Sequence, residues 1–177
     1  KAVYFPHEGI LGQSAEAKGK RYNATIGIAT EEDGSPMRLS CLFEHMNLNP
    51  QEVLPYAPSF GVMALRKRWQ VMIREKSPSL GSATMSLPVV TQALTHGLTV
   101  AAYLFLDEGD EIMVPTPFWG NYNLLYQTSF GASVVGFDCF NSSGGFNLVE
   151  LKKMLEARRG KKVNLLLNFP NNPTGYT

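Results

Sequence analysis

Hydrophobic and polar positions follow regular spacings from residue 59 onward. In the segment 60–73 the apolar residues recur every three or four positions, which predicts a helix that Ser59 caps. The segment 94–106 predicts a second helix that Gly109 closes. This helix is apolar nearly all round, so we expect it to be buried.

Two further helices are predicted, one over 121–130 and one over 147–159. The second begins at Asn147 and Glu150, which have the spacing of a capping box. Between the helices lie short apolar runs of strand length, at 87–91, 111–115, 133–137 and 163–168. The last run is fully apolar, so we expect a buried strand there.

The resulting order is β-α-β-α-β-α-β, which predicts an α/β fold with a mostly parallel sheet between two layers of helices. Ligands of such sheets bind outside the carboxyl ends of the strands. Residues 1–55 lack a sustained period, apart from a possible short strand over 23–30, and indicate an N-terminal arm and part of a small domain. We therefore divide the chain into 1–55 and 56–177.

The composition excludes several classes of protein. Of the 177 residues 44% are hydrophobic, and 16 basic residues face 15 acidic ones, so neither a disordered chain nor a surface for nucleic acid is indicated. Cys41 and Cys139 form neither a zinc motif nor a disulfide framework. Because a membrane-spanning run and a signal peptide are also missing from these residues, we expect a cytoplasmic protein without a membrane partner.

The most specific motif is Asn168-Phe-Pro-Asn-Asn-Pro-Thr-Gly175, which follows the most apolar predicted strand. Its two prolines each fix a φ angle and Gly175 permits a sharp exit, so the loop is stiff. A stiff loop can direct the carboxamide of Asn171 or Asn172 at a ligand oxygen.

This motif resembles the signature of the fold-type I pyridoxal-phosphate enzymes, in particular the class I/II aminotransferases related to aspartate and aromatic aminotransferases. Two other segments resemble the same family in the same order. Tyr56-Ala-Pro-Ser-Phe-Gly61 with Leu65-Arg66 is one, and Asp107-Glu-Gly-Asp-Glu-Ile-Met-Val-Pro-Thr-Pro-Phe-Trp119 is the other. The resemblance implies the first half of the large domain, which binds pyridoxal 5′-phosphate.

The resemblance also implies roles for individual residues. Asn172 matches the asparagine that donates to the phenolic oxygen of the cofactor, and Trp119 matches the ring stacked on its pyridine. Ala93, Leu94 and Thr95 align with the turn that cradles the phosphate, which suits the free amides of a helix start. Many relatives have Gly-Gly or Gly-Ser where this chain has Ala93 and Leu94.

Two residues of the N-terminal region complete the implied site. Tyr56 matches a tyrosine that reaches the phosphate of the neighbouring subunit, which implies a homodimer. Gly27 matches a glycine near the substrate carboxylate.

Other candidates favour structural roles. His96 is expected to be a hydrogen-bonded structural histidine. The carboxylates of the segment 107–111 have no opposing partner in the sequence pattern, so we expect them to be cap and solvent charges and not a metal site. The basic pairs 158–159 and 161–162 suit the end of a helix.

No catalytic residue is assigned, because none of the nine lysines follows the motif, where the family's cofactor-binding lysine lies. We expect the front part of a longer enzyme that exchanges an amino group between an amino acid and a 2-oxo acid, inactive as the 177-residue chain alone. The open sheet edges should make that segment aggregate or pair with another chain. Other fold-type I chemistry, such as a C–S lyase or decarboxylase, and a non-catalytic binding module remain as alternatives.

Overall fold

The computed structural model describes residues 10–25 and 27–177, and the chain divides into two compact units between Ser59 and Phe60. The first unit holds α1 (Ile10–Glu16), a 3₁₀ turn (Ser40–His45) and the single-turn helix α2 (Pro50–Val53). The strand predicted over 23–30 is not observed in its described residues. Only Thr30 pairs, in an isolated bridge with Pro36, and Ile26 lies outside the described residues.

The second unit begins with α3 (Met63–Lys76), and the prediction that Ser59 caps this helix is wrong. Its N-terminal boundary residue is Val62, which makes no side-chain cap. Gly61 has a φ of 92°, a left-handed angle that interrupts any helical path between Ser59 and Met63.

The segment 81–91 is extended but is not the predicted strand. Arg66, Gln70 and Arg74 lie one turn apart on α3 and donate to backbone carbonyls between 81 and 88, with Arg66 Nε 2.6 Å from the Pro88 carbonyl. Side chains therefore take the places that a neighbouring strand would occupy, and the segment 87–91 joins no sheet.

Helix α4 (Ala93–Phe105) follows, and the expectation that it is buried is wrong. Only Ala102 is fully buried, whereas Tyr103 and Phe105 are 79% and 64% exposed. One side of the helix packs on the core, and its apolar residues on the other side face solvent.

Three parallel strands form the sheet, in the order β2-β1-β3. They are β1 (Glu111–Thr116), β2 (Ser133–Asp138) and β3 (Asn164–Leu165). β1 pairs with β2 along all six residues, from Glu111 opposite Ser133 to Thr116 opposite Asp138, but with β3 along only two. The buried strand predicted over 163–168 is therefore mostly wrong, because its outer edge is unpaired and Leu165 and Leu167 remain 37% and 42% exposed.

Two helical crossovers connect the strands. Residues 121–130 are helical, as predicted, with a π-helical centre (Asn123–Thr128), and α5 spans Leu148–Glu156. The Asn147 carboxamide accepts a hydrogen bond from the Glu150 amide at 3.1 Å, which confirms that cap. The α/β class with a parallel sheet is also confirmed.

The core lies where β1 meets α4 and the first crossover. Its fully buried residues include Val114, Ile112, Ala102, Tyr122 and Tyr126. No helix within 10–25 or 27–177 is long and apolar enough to cross a membrane.

Candidate cofactor site

The parallel strands direct two loops and one helix start towards the same edge of the sheet. The loops after β1 and β3 leave the carboxyl ends of their strands, which lie together in a parallel sheet. Helix α4 joins the amino end of β1 through a short turn, and Ala102 packs with Val114 of β1. Since the helix and β1 are of similar length and run in opposite directions, α4 begins near the carboxyl end of β1.

The loop 168–176 is organised around Asn171, which is only 3% exposed. Its carboxamide oxygen accepts hydrogen bonds from the Thr174 hydroxyl at 2.8 Å and the Thr174 amide at 3.2 Å. The backbone amide of Asn171 donates to the Tyr176 carbonyl at 2.8 Å, and the backbone carbonyl of Asn171 accepts from the Gly175 amide at 2.7 Å. The neighbouring Asn172 is exposed and its carboxamide makes no hydrogen bond within the described ranges, so it is the asparagine available to a ligand.

Tyr176 ties this loop to the segment after β2. Its hydroxyl accepts a hydrogen bond from the Phe146 amide at 3.0 Å. Its ring packs edge-on against Phe140 and Phe169, with centroids 5.2 and 6.2 Å apart, and Phe169 in turn contacts Phe146 at 5.8 Å. The loop is therefore held from outside as well as from within.

Trp119 lies half-buried in the loop after β1 and packs edge-on against Tyr122, with ring centroids 5.8 Å apart. Burial raises the pKa of Tyr122, and burial together with the neighbouring Tyr122 raises the pKa of Tyr126 to about 12. Both hydroxyls stay neutral at physiological pH, so Trp119 rests on an uncharged aromatic support and keeps part of its ring accessible.

Ala93, the first residue of α4, has a φ of 59°. Glycine adopts this left-handed conformation freely, whereas an alanine loses roughly 1–2 kcal/mol there. Ala93 thus has a backbone conformation that a glycine would adopt without strain.

The start of α4 offers donors to an anion. The amides of Leu94 and Thr95 have no acceptor within 10–25 or 27–177, and the Thr95 hydroxyl has no partner there either. Amides at a helix start attract a phosphate through hydrogen bonds and the helix dipole. The residues present therefore fit the phosphate of the cofactor.

Gly27 and Tyr56 belong to the first unit. The Tyr56 side chain is fully exposed, and a Cβ added at Gly27 would meet no atom within 4 Å. Both positions are open to a ligand or a partner.

Two features were missed in the sequence. Asn171 and Thr174 have the spacing of a local side-chain cap, a signal that was available. His96 accepts a hydrogen bond at Nδ1 from the Gln92 amide at 2.9 Å, which agrees with a structural role, although α4 is exposed and not buried.

The second missed feature corrects the view that the carboxylates of 107–111 lack opposing partners. Lys162 pairs with Asp107 and Asp110, and Arg158 lies 2.6 Å from Glu111. Because 47 or more residues separate these partners, spacing along the chain gives no sign of them. Within the described residues no group of three or more His, Cys, Asp or Glu is arranged to hold a metal.

Comparison with known proteins supports a single family. A family model described as aminotransferase class I and II matches residues 36–177. The mitochondrial aspartate aminotransferase of Dictyostelium discoideum is 26% identical over 184 residues, covering 96% of this chain and 42% of that protein. The 1-aminocyclopropane-1-carboxylate synthase 6 of Oryza sativa subsp. japonica is 25% identical over 137 residues, covering 75% of this chain and 25% of that protein.

The fold agrees with this comparison. The crystal structure of an aminotransferase from Anaerococcus prevotii superposes with a TM-score of 0.79 at 24% identity, over 95% of this chain and 42% of that one. The chain thus spans less than half the length of these three proteins. The match to the family model over most of its residues shows that the chain belongs to the aminotransferase class I and II family.

Proposed function

We propose that the protein transfers an amino group between an amino acid and a 2-oxo acid, and that this chain holds the cofactor non-covalently. Proteins of this family depend on pyridoxal 5′-phosphate. The observation that carries the proposal is the start of α4, where a left-handed Ala93 is followed by two amides, of Leu94 and Thr95, without acceptors in the described part of the chain.

Three groups of this chain would hold the cofactor. The amides of Leu94 and Thr95, with the Thr95 hydroxyl, bind the phosphate. Trp119 packs on the ring and sets its tilt. Asn172 donates to the phenolic oxygen and thereby favours its ionised form.

When bound, the cofactor supplies an electron sink for breaking a bond at the substrate's α-carbon. The lysine that binds the cofactor covalently in the family has no counterpart among the nine lysines, since all of them precede the motif 168–175. The 177 residues are therefore proposed to bind the cofactor without turning over substrate.

We further propose a homodimer in which Tyr56 reaches the phosphate of the neighbouring subunit. We also propose that the carboxylate of the substrate binds near Gly27. The full exposure of Tyr56 supports this role, since such a side chain is free to contact a partner.

The chain's two tryptophans provide the test. Trp69→Phe leaves Trp119 as the only tryptophan, and Trp119→Phe leaves Trp69, which lies half-exposed on α3. Pyridoxamine 5′-phosphate, which forms no covalent adduct with lysines, should quench the fluorescence of Trp119 and not that of Trp69. Quenching that persists in Trp119→Phe, or that is absent in Trp69→Phe, would exclude the proposed stacking.

Two variants test the polar contacts. Thr95→Ala should weaken the binding of pyridoxamine 5′-phosphate by about tenfold or more, because a hydrogen bond to a charged group is worth about 1.5–3 kcal/mol. Asn172→Ala should shift the absorbance of the bound ligand towards the neutral phenol form.

A second function is favoured by one observation, the match to a synthase among the relatives. Other fold-type I chemistry on the same cofactor, including C–S lyase and decarboxylase reactions, would keep the same three contacts. Incubation of the full protein with an amino acid and a 2-oxo acid separates these possibilities. Formation of the exchanged pair identifies transamination, whereas consumption of the amino acid alone identifies the second function.

A further inference from the structure

The turn before α4 redirects the chain at two consecutive residues. Gln92 has the dihedral angles of an inverse γ-turn (φ −78°, ψ 82°), and the Ala93 amide donates to the Thr91 carbonyl at 3.0 Å. Ala93 then has a φ of 59°. Between 10 and 25 and between 27 and 177, no other non-glycine residue has a positive φ. An alanine keeps this conformation only where surrounding interactions hold it.

Two side chains hold it, one on each side of Ala93. The Thr91 hydroxyl donates to the Ala93 carbonyl at 3.1 Å, and His96 Nδ1 accepts from the Gln92 amide at 2.9 Å. Gly97 leaves room for the first bond, because a Cβ there would lie 3.2 Å from the Thr91 oxygen. Since Nδ1 accepts this hydrogen bond, only Nε2 of His96 is left to donate one.

These bonds determine which amides remain for a ligand. The Gln92 and Ala93 amides are both used within the turn. The next two amides, of Leu94 and Thr95, have no acceptor in the described part of the chain and lie at the start of a helix of 13 residues. They are the groups that a phosphate would bind.

We propose that His96 is a positioning residue for the phosphate of the cofactor. By holding the Gln92 amide it keeps Ala93 left-handed, and so keeps the following amides directed at the phosphate. A glycine at this position would adopt the same angle unaided, so the need for His96 arises from the alanine. The inference rests on the proposed function and adds to it a side chain that acts through the backbone.

The test uses two ligands that differ only in the phosphate, pyridoxamine 5′-phosphate and pyridoxamine. His96→Ala should weaken binding of pyridoxamine 5′-phosphate about three- to tenfold, the effect of one lost hydrogen bond, and leave pyridoxamine unchanged. His96→Asn, whose Oδ1 takes the place of Nδ1, should bind like the unmodified protein. His96→Gln, whose amide reaches the place of Nε2, should bind like His96→Ala.

Ala93→Gly allows the effect of His96→Ala to be measured where the turn needs no support. Combined with Ala93→Gly, His96→Ala should change the affinity for pyridoxamine 5′-phosphate by no more than about twofold, because the turn no longer needs the histidine. Equal losses in both backgrounds, or equal losses for both ligands, would overturn the inference and leave His96 a structural residue.

Unfolding without ligand distinguishes failure of the inference from failure of the proposed function. His96→Ala should lower the denaturation midpoint more in the presence of Ala93 than in combination with Ala93→Gly. If this coupling is seen but the unmodified protein binds both ligands equally, the phosphate site is wrong and the inference falls with it. If the phosphate is preferred and His96→Ala keeps that preference, only the inference falls.

Discussion

The two loops proposed to contact the cofactor are held in opposite ways. The loop 168–176 is organised around one buried carboxamide, that of Asn171, with backbone bonds on both sides of it. The turn 91–96 contains no buried residue and keeps the left-handed Ala93 in place with two side-chain hydrogen bonds.

The difference follows from the kind of donor that each loop presents. The proposed contact of Asn172 is made by its side chain, so the backbone of that loop is free to form hydrogen bonds. The proposed contacts of the turn are made by backbone amides, which must stay unpaired until a ligand binds, so side chains and neighbouring segments have to hold the turn. Variants that remove the support of one loop at a time test this comparison.

The largest effect is expected at Gly61, which supports the segment entering the turn. A Cβ at Gly61 would lie 2.2 Å from Val90 Cγ2, and the φ of 92° is unfavourable for alanine. Gly61→Ala should therefore lower the free energy of unfolding by about 2–4 kcal/mol, measured by chemical denaturation.

Gly109→Ala is the matched control for this collision. Gly109 has a similar φ of 86°, but a Cβ there meets nothing within 4 Å. Gly109→Ala should lower the free energy of unfolding by only about 1 kcal/mol, because only the backbone angle is unfavourable. Equal losses for the two variants would show that contact with Val90 plays no part.

The second-largest effect tests whether the side chain of Asn171 holds the loop 168–176 together. Asn171→Ala removes the acceptor of two hydrogen bonds from Thr174 and should lower the free energy of unfolding by about 2–3 kcal/mol. Asn172→Ala, next to it and exposed, should change the free energy by less than about 0.5 kcal/mol. The prediction fails if the two variants are equally stable.

A smaller effect is expected where the loop is tied to its surroundings. Tyr176→Phe leaves the Phe146 amide without its acceptor and should lower the free energy of unfolding by about 1 kcal/mol. Tyr126→Phe is the control, because the hydroxyl of this buried tyrosine makes no hydrogen bond within 10–25 or 27–177, and its loss should leave the free energy of unfolding nearly unchanged. Thermal unfolding of both variants checks the contrast.

The smallest effect concerns the ion pairs distant from both loops. The Asp107 amide and Lys162 lower the pKa of Asp110, and hydrogen bonding to Asp110 and Asp107 raises the pKa of Lys162. The Asp110 contribution to stability is present above the unfolded pKa of an aspartate and is lost as the pH falls through its folded pKa. The Lys162 contribution is present below the unfolded pKa of a lysine and is lost as the pH rises through its folded pKa.

Lys162→Met should therefore differ most from the unmodified protein between about pH 5 and pH 9, and the difference should fade below that window. High salt should also reduce it, because the pair is exposed to solvent. Denaturation midpoints across pH and salt measure the effect. A difference that persists in strong acid would point to packing of the lysine stem instead.

The sequence predicted the elements whose partners lie near them in the chain. The runs 111–115 and 133–137 are strands and 121–130 is helical, because each element buries the apolar residues that its spacing displays. The family resemblance added the roles proposed for the loops, which spacing along the chain does not reveal.

The errors share a physical cause, since hydrophobicity shows that a residue is apolar but not that another element covers it. Tyr103 and Phe105 of α4 belong to an apolar run and are exposed all the same. The segment 87–91 has strand-forming residues without a neighbouring strand. Arg158 and Glu111 come together only in the folded sheet, so no local sequence pattern predicts their ion pair.

The strand order has a consequence for synthesis on the ribosome. β1 emerges first, β2 pairs with one of its edges, and β3 reaches the opposite edge only after α5 has been made. The nascent chain therefore possesses the turn 91–96 and Trp119 well before Asn172 exists. We expect capture of the cofactor only after the loop 168–176 has left the exit tunnel, since until then only Trp119 could hold its ring.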